Sequence, residues 1–203
     1  MEPLFDLRGR IVAIGTGVTT NTIVDGLLRL HASKQFARPI TLYVVGGTEP
    51  TTVLPGVEAM LLVQVMRVIR SPIRTVGIGL LQGWLPLLLA CGTRGQRFLL
   101  PQTVLALGRL EWEGLPLTRA PIGLQPPPRT SAYHQTENLL QKQLRGLLAE
   151  LKLPAILFAT NRVWTAQMAI KHQLADRIVE RMVDSELLPT TTSHPHEPEP
   201  CAN

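Results

Sequence analysis

Between Gly77 and Pro101 the chain reads as a strand, a sharp turn, a buried helix and a second strand. That layout serves hydrolases by presenting a nucleophile at the turn. Here the turn residue is Gly83, which carries no oxygen or sulfur able to attack a carbonyl. The other candidate nucleophiles lack the setting. Ser71 ends a helix before a proline, Ser33 and Ser131 read as loop residues, and Ser185 follows the last strand. None stands on a strand-to-helix turn. His31 and His172 fall near helix ends, where the usual role is to complement the helix dipole, and His194 and His196 belong to a polar tail. Cys91 lies in an apolar helix and Cys201 in the tail, so two free thiols in a reducing compartment are expected, with no metal-ligand spacing. Gly46-Gly47-Thr48 lacks the lysine and glycine spacing of a phosphate loop, which argues against nucleotide binding.

The elements that would position these residues alternate. Ile11–Ile14 reads as a buried strand, Asn21 as the cap of a helix carrying Ile23, Val24, Leu27, Leu28 and Leu30, and Ile40–Val45 as a β-branched strand stopping at Gly46-Gly47. A helix apolar almost all round runs from Pro55-Gly56 to about Arg70. A strand follows at Thr75–Ile78, then a helix at Trp84–Cys91 with Gly92 as C-cap, and short strands at Phe98–Leu100 and Val104–Leu107. Prolines 116, 121 and 126–128 forbid a regular helix or central strand between residues 109 and 130, which reads as a long surface excursion. From a cap at Thr136, the leucines at 139, 140, 144, 147, 148 and 151 form one helical stripe. A short helix at Ala166–Gln173 and a strand at Arg177–Val179 complete the pattern. The Thr-, His- and Pro-rich tail reads as disordered.

Composition excludes several classes. A 203-residue chain with 45% hydrophobic content supports a substantial core. The longest apolar stretch, Leu80–Cys91, is interrupted by Gln82 and Pro86 and falls short of the roughly 18–20 residues that span a bilayer. The opening Met-Glu-Pro-Leu-Phe-Asp-Leu-Arg has neither a secretory nor a transit pattern, so a mature or untargeted chain is expected. The net charge of +5 comes from dispersed arginines with few aromatics between them, a solvated basic surface and not a nucleic-acid footprint.

Five fragments coincide in order and spacing: Arg10-Ile11-Val12, Leu42–Gly47, Gly79–Gly83, Ala90–Pro101 with its A-x-G-x-x-G-x-R-F-x-L-P run, and Ala175-Asp176-Arg177-Ile178-Val179. Together they resemble the proteolytic subunits of the Clp protease, within the crotonase-like superfamily, over about residues 7–183. The resemblance implies an α/β fold of repeated ββα units with a protruding handle helix. It covers a domain at 1–187, with the proline-rich insertion at about 109–130, the handle helix at about 136–151 and the tail at 188–203.

It also implies a Ser-His-Asp triad whose three positions here hold Gly83, Gly108 and Asn161. Neither glycine can attack or take up a proton, and an asparagine does not stabilise an imidazolium. Oxyanion-hole donors carry over to Gly47 and Trp84, and a ring-to-ring handle contact to Leu140, Leu144, Leu147 and Leu148. The implied protein resembles the non-catalytic, ClpR-type subunits of photosynthetic organisms, in which an inserted loop fills or covers the groove. It is expected to need no cofactor or metal, to assemble with catalytic and non-catalytic Clp subunits in heptameric rings, and to work with an Hsp100-type ATPase. The resemblance places it in the plastid stroma or, as the alternative, the cyanobacterial cytoplasm. Two other functions remain open. One is an acyl-CoA enzyme of the same superfamily, with Glu111 or Glu113 as its carboxylate. The other is a peptidase activity relocated to different residues.

Overall fold

The computed structural model describes residues 5–6, 8–15, 18–47, 54, 56–108, 110–112, 115–116, 131–158 and 161–180. The chain opens with strands β1 (Phe5–Asp6) and β2 (Ile11–Ile14) and helix α1 (Thr20–Ala32), then β3 (Ile40–Gly46), α2 (Gly56–Val68), β4 (Ile73–Gln82) and α3 (Leu85–Ala90). Short strands β5 (Arg97–Leu99), β6 (Val104–Leu107), β7 (Glu111–Trp112) and β8 (Leu115–Pro116) lead to α4 (Ser131–Leu151). The described part ends with β9 (Arg162–Thr165), α5 (Ala166–Lys171) and β10 (Arg177–Ile178).

Two sheets share one strand. The first runs β1-β2-β3-β4-β5-β10, parallel except for β1 on β2. The first part of β4 pairs with β3 and β5. Its last residues, Leu80–Gln82, pair instead with β6, which carries β9 antiparallel on its other side. The crossover is made at Gly79, whose φ of +76° bends the strand, and which lies opposite Gly46 in the β3–β4 ladder. The backbones touch there. A Cβ on Gly79 would stand 2.6 Å from the Gly46 carbonyl oxygen, and one on Gly46 would run into the carbonyl of Leu80. Only glycine combines that φ with that approach.

The expected alternation of strands and helices holds, with local differences. Helix α1 is capped by Thr19, whose hydroxyl accepts from the Thr22 amide at 3.3 Å, and not by Asn21. Its buried Ile23, Leu27 and Leu30 face the sheet, as the 3.6-residue period requires. Helix α3 is entirely buried and ends on Cys91 in a right-handed conformation, so Gly92 is no left-handed cap. Gly92 is needed for space, because a Cβ there would lie 2.8 Å from Thr75 Cγ2. Helix α4 starts at Ser131, five residues before the expected Thr136, since no breaker stands between Pro128 and that position. Strands β1 and β9 and the β7–β8 hairpin were not among the expected strands.

Two arginines tie distant segments. Arg97 donates to Asp176 from Nε (2.9 Å) and Nη2 (2.6 Å) and to the Gln173 carbonyl (2.8 Å), which clasps β5 to the turn before β10. Arg10, buried and in a left-handed conformation, donates to Ser71 Oγ (3.0 Å), Ser33 Oγ (2.9 Å) and the carbonyls of Leu30 and Pro39. It joins the end of α1 to the start of β4 through neutral acceptors.

The tail at 188–203, with Cys201, His194 and His196, and Ser185 before it lie outside the described residues, as does most of the 109–130 excursion. Within the excursion, β7 and β8 form a separate two-stranded hairpin. The expectation that Leu140, Leu144, Leu147 and Leu148 make a contact between rings is corrected for three of them. Leu144, Leu147 and Leu148 are buried in the chain's own core, and Leu140 packs half-buried against it. A ridge of leucines on one helix face is consumed first by the nearest apolar surface, here the core beside α2, to which Arg67 and Glu150 also tie the helix. The exposed leucine of α4 is Leu139.

Candidate functional site: a side-chain-poor end of the second sheet

The C-terminal ends of β4 and β6 and the start of β9 lie together at one end of the second sheet. Gln82 pairs with Ala106, and Leu107 pairs with Arg162. Directly after β4 stands Gly83, at φ +61°, a turn conformation that L side chains rarely adopt. Trp84 follows as the N-terminal cap residue of α3, with its ring buried. Directly after β6 stands Gly108, and directly before β9 stands Asn161.

One rung beyond Leu107–Arg162, these two residues face each other. A Cβ built on Gly108 lies 3.4 Å from Asn161 Oδ1, the one heavy atom within 4 Å among the described residues, chain neighbours aside. Gly108 has no positive φ and no described residue crowds it, so neither its backbone nor its packing against the described residues calls for glycine. The third segment at this end is Gly47, just past β3, whose carbonyl accepts from Gln82 Nε2 at 3.2 Å. The structure thus groups Gly83, Trp84, Gly108 and Asn161, with Gly47 joined to them through Gln82. Sequence reasoning missed Gln82, whose amide in an otherwise apolar strand end was the available signal.

In the second sheet, Leu105, Leu107 and Trp164 point into the core, while Val104, Ala106 and Val163 point the other way. By the same alternation Gly108 and Asn161 belong to the outward face. Asn161 is exposed there.

Other chemistry-bearing groups are engaged elsewhere. Burial pushes the Cys91 thiol up to about 12, with Arg67 and Arg97 opposing, so it is protonated at neutral pH. Ser33 and Ser71 hold Arg10. His31 lies in the last turn of α1 against Phe36, and His172 caps α5 with its ring stacked 4.3 Å from Trp164. Ser131 begins α4. Glu111 lies on β7, and its side chain and all of Glu113 fall outside the described residues. Among the described residues no three His, Cys, Asp or Glu side chains are grouped to hold a metal, and no helix is long and apolar enough to cross a membrane.

Burial on its own would raise the Asp176 pKa, but side-chain and backbone hydrogen bonds from Arg97, with its charge, outweigh this and hold the carboxyl below its usual value. This pair holds the sheet and lies on the strands away from Gly108.

Residues 6–109, half of the chain, match the family described as Clp protease. The chain belongs to the Clp protease family. It is 38% identical over 112 residues to the ATP-dependent Clp protease proteolytic subunit 2 of Thermobifida fusca, a match covering 51% of this chain and 52% of that protein. The corresponding subunit 2 of Streptomyces avermitilis is 27% identical over 178 residues, covering 86% and 84%. The subunit 2 of Gloeobacter violaceus is 36% identical over 112 residues, and the match spans about half its length, 48%. Among solved structures, a peptidase from Plasmodium falciparum matches 86% of this chain and 98% of its own, at 18% identity and a TM-score of 0.67. That likeness establishes the fold, the α/β ClpP-like architecture with its parallel sheet. The Clp match ends at residue 109, at the start of the proline-rich excursion.

Proposed function

We propose that this Clp-family chain is a non-catalytic subunit of a mixed Clp protease core, completing a ring and its chamber while partner subunits cut the peptide bond. The observation that carries the reading is Gly108, a glycine that neither its φ nor packing against the described residues requires, facing Asn161 at the end of the sheet that also bears Gly83. These are the positions that the family resemblance assigns to the base, the acid and the nucleophile. With all three side chains replaced, no group there takes the serine proton or attacks a carbonyl. Backbone amides at Gly47 and Trp84 stabilise charge only after a nucleophile has attacked.

Ring neighbours would be catalytic and non-catalytic Clp subunits, in a tetradecamer of two rings served by an Hsp100-type ATPase. Leu139 and Leu140 are the leucines of α4 left for a contact between rings. The relatives are bacterial, which favours a bacterial cytoplasm, the cyanobacterial alternative included, over the plastid stroma.

The test is a fluorophosphonate serine probe applied to the purified chain. Wild type and Gly83→Ser should stay unlabelled, and Gly83→Ser combined with Gly108→His should label. Labelling of the wild type, or of the single variant, would sink the reading.

A further inference from the structure

We infer that the N-terminal end of the first sheet is a docking strip for an acidic segment of a partner polypeptide. Arginines that the sequence disperses are gathered there by the parallel topology. Strands β2, β3, β4 and β5 lie side by side and start at this end, and each is preceded within three residues by an arginine: Arg10, Arg38, Arg70 and Arg94. At about 4.8 Å per strand the row extends over about 14 Å. Lys34, in the turn between α1 and β3, adds a fifth cation. Buried Arg10 draws them together, because it donates to Ser33, Pro39 and Ser71, the sequence neighbours of Lys34, Arg38 and Arg70. Thr93, next to Arg94, donates its amide to the Ile73 carbonyl at the start of β4. Lys34, Arg38, Arg70 and Arg94 are exposed.

None of the five is paired with an acid among the described residues. Arg10 meets neutral oxygens, Arg38 donates to Gln35 Oε1 at 3.1 Å, and Arg70 lies 5.8 Å from the centre of the Phe36 ring. Burial, and after it the charge of Arg38, lower the Arg10 pKa, so two cations repel each other here. Of the acids on this sheet, Asp6 accepts from the Arg8 amide and Asp176 is clasped by Arg97. Helices α1 and α2 also end here, but each C-terminus offers only about half a negative charge, too little to cancel five cations. Carboxylates relieve the repulsion, and guanidinium forks take them two bonds at a time. Nucleic acid calls for rings on which bases stack, and Phe36 is half-buried with His31 and Arg70 against it. The chain's own residues 182–203 hold four acids and no Lys or Arg, but β10 leads the chain away from this end, which favours another polypeptide.

The test is fluorescence anisotropy of a labelled hexaglutamate peptide titrated with the full chain. Binding should saturate, and weaken about tenfold as salt rises from roughly 20 to 200 mM. Arg38→Glu combined with Arg70→Glu should lower the affinity about tenfold or more. Lys142→Glu combined with Arg145→Glu makes the same change of net charge at exposed positions of α4 and should leave the affinity unaltered. Equal losses from the two pairs would mean that net charge alone attracts the peptide, and would overturn the strip. Urea midpoints show whether each variant is folded. Arg94→Ala, a milder change expected to weaken binding about twofold, keeps the strip testable if the double reversal unfolds; no loss there, with the reversal unfolded, counts against it. A hexathymidylate strand or phosphatidylglycerol vesicles bound more tightly than the peptide would assign the strip to nucleic acid or membrane and refute the inference. Peptide affinity that rises with Glu197→Gln and Glu199→Gln would give the strip to the chain's own tail, and refute it as well.

Discussion

Glycines at the sheet seam and glycines at the end of the second sheet are the same residue under opposite constraints. At the seam, Gly46 and Gly79 stand where two backbones touch, and any side chain there meets a carbonyl group. At the site, Gly108 has no positive φ, and among the described residues a Cβ there meets only Asn161 Oδ1, at 3.4 Å, chain neighbours aside. Gly83 is intermediate, with a left-handed φ that glycine adopts freely and that a strained nucleophile turn also uses. The difference separates glycine that the close approach of two backbones requires from glycine that no described neighbour requires. The same division holds for charge, because the first sheet is clasped by Arg97 and Asp176 whereas, among the described residues, the site end of the second groups no acid with a base.

That contrast breaks or sharpens under substitution. The largest effect is expected from Arg97→Ala, which strands the Asp176 carboxylate beside β5 and should cost about 3–5 kcal/mol in urea unfolding. Gly46→Ala should cost about 3 kcal/mol, since the clash is with backbone and no rotamer relieves it. If Gly46→Ala proved neutral, the seam would be looser than described.

Acid should expose the clasp next. Because the folded Asp176 pKa lies below its ordinary value, its contribution is complete above the usual carboxylate range and is lost as pH falls through the folded value. Stability should therefore be flat in this respect from neutrality down to about pH 4 and decline below it. Asp176→Asn should lower stability by about 2 kcal/mol at neutral pH and reduce the slope of the acid limb. An unchanged slope would assign the acid sensitivity to other carboxylates. The smallest effect is expected at Gly108→Ala, within about 0.5 kcal/mol of wild type by the same measurement. A large loss there would mean that the glycine is structural after all.

The sequence alone was sufficient for the order of the five helices and of β2–β6 and β10, because hydrophobic period and turn residues act over a few neighbours. It was also sufficient for the placing of Gly83 at a turn, because that residue sits inside one local strand-turn-helix unit. The resemblance supplied Gly108 and Asn161 as separate positions. Only the tertiary structure set them face to face, through an antiparallel register between strands more than fifty residues apart. It alone decided that Leu144, Leu147 and Leu148 face inward, since a helical stripe defines a buried side without naming what buries it. The pairing of Arg97 with Asp176, 79 residues away, was likewise invisible in the chain order, because contacts at that distance depend on the path of the whole fold.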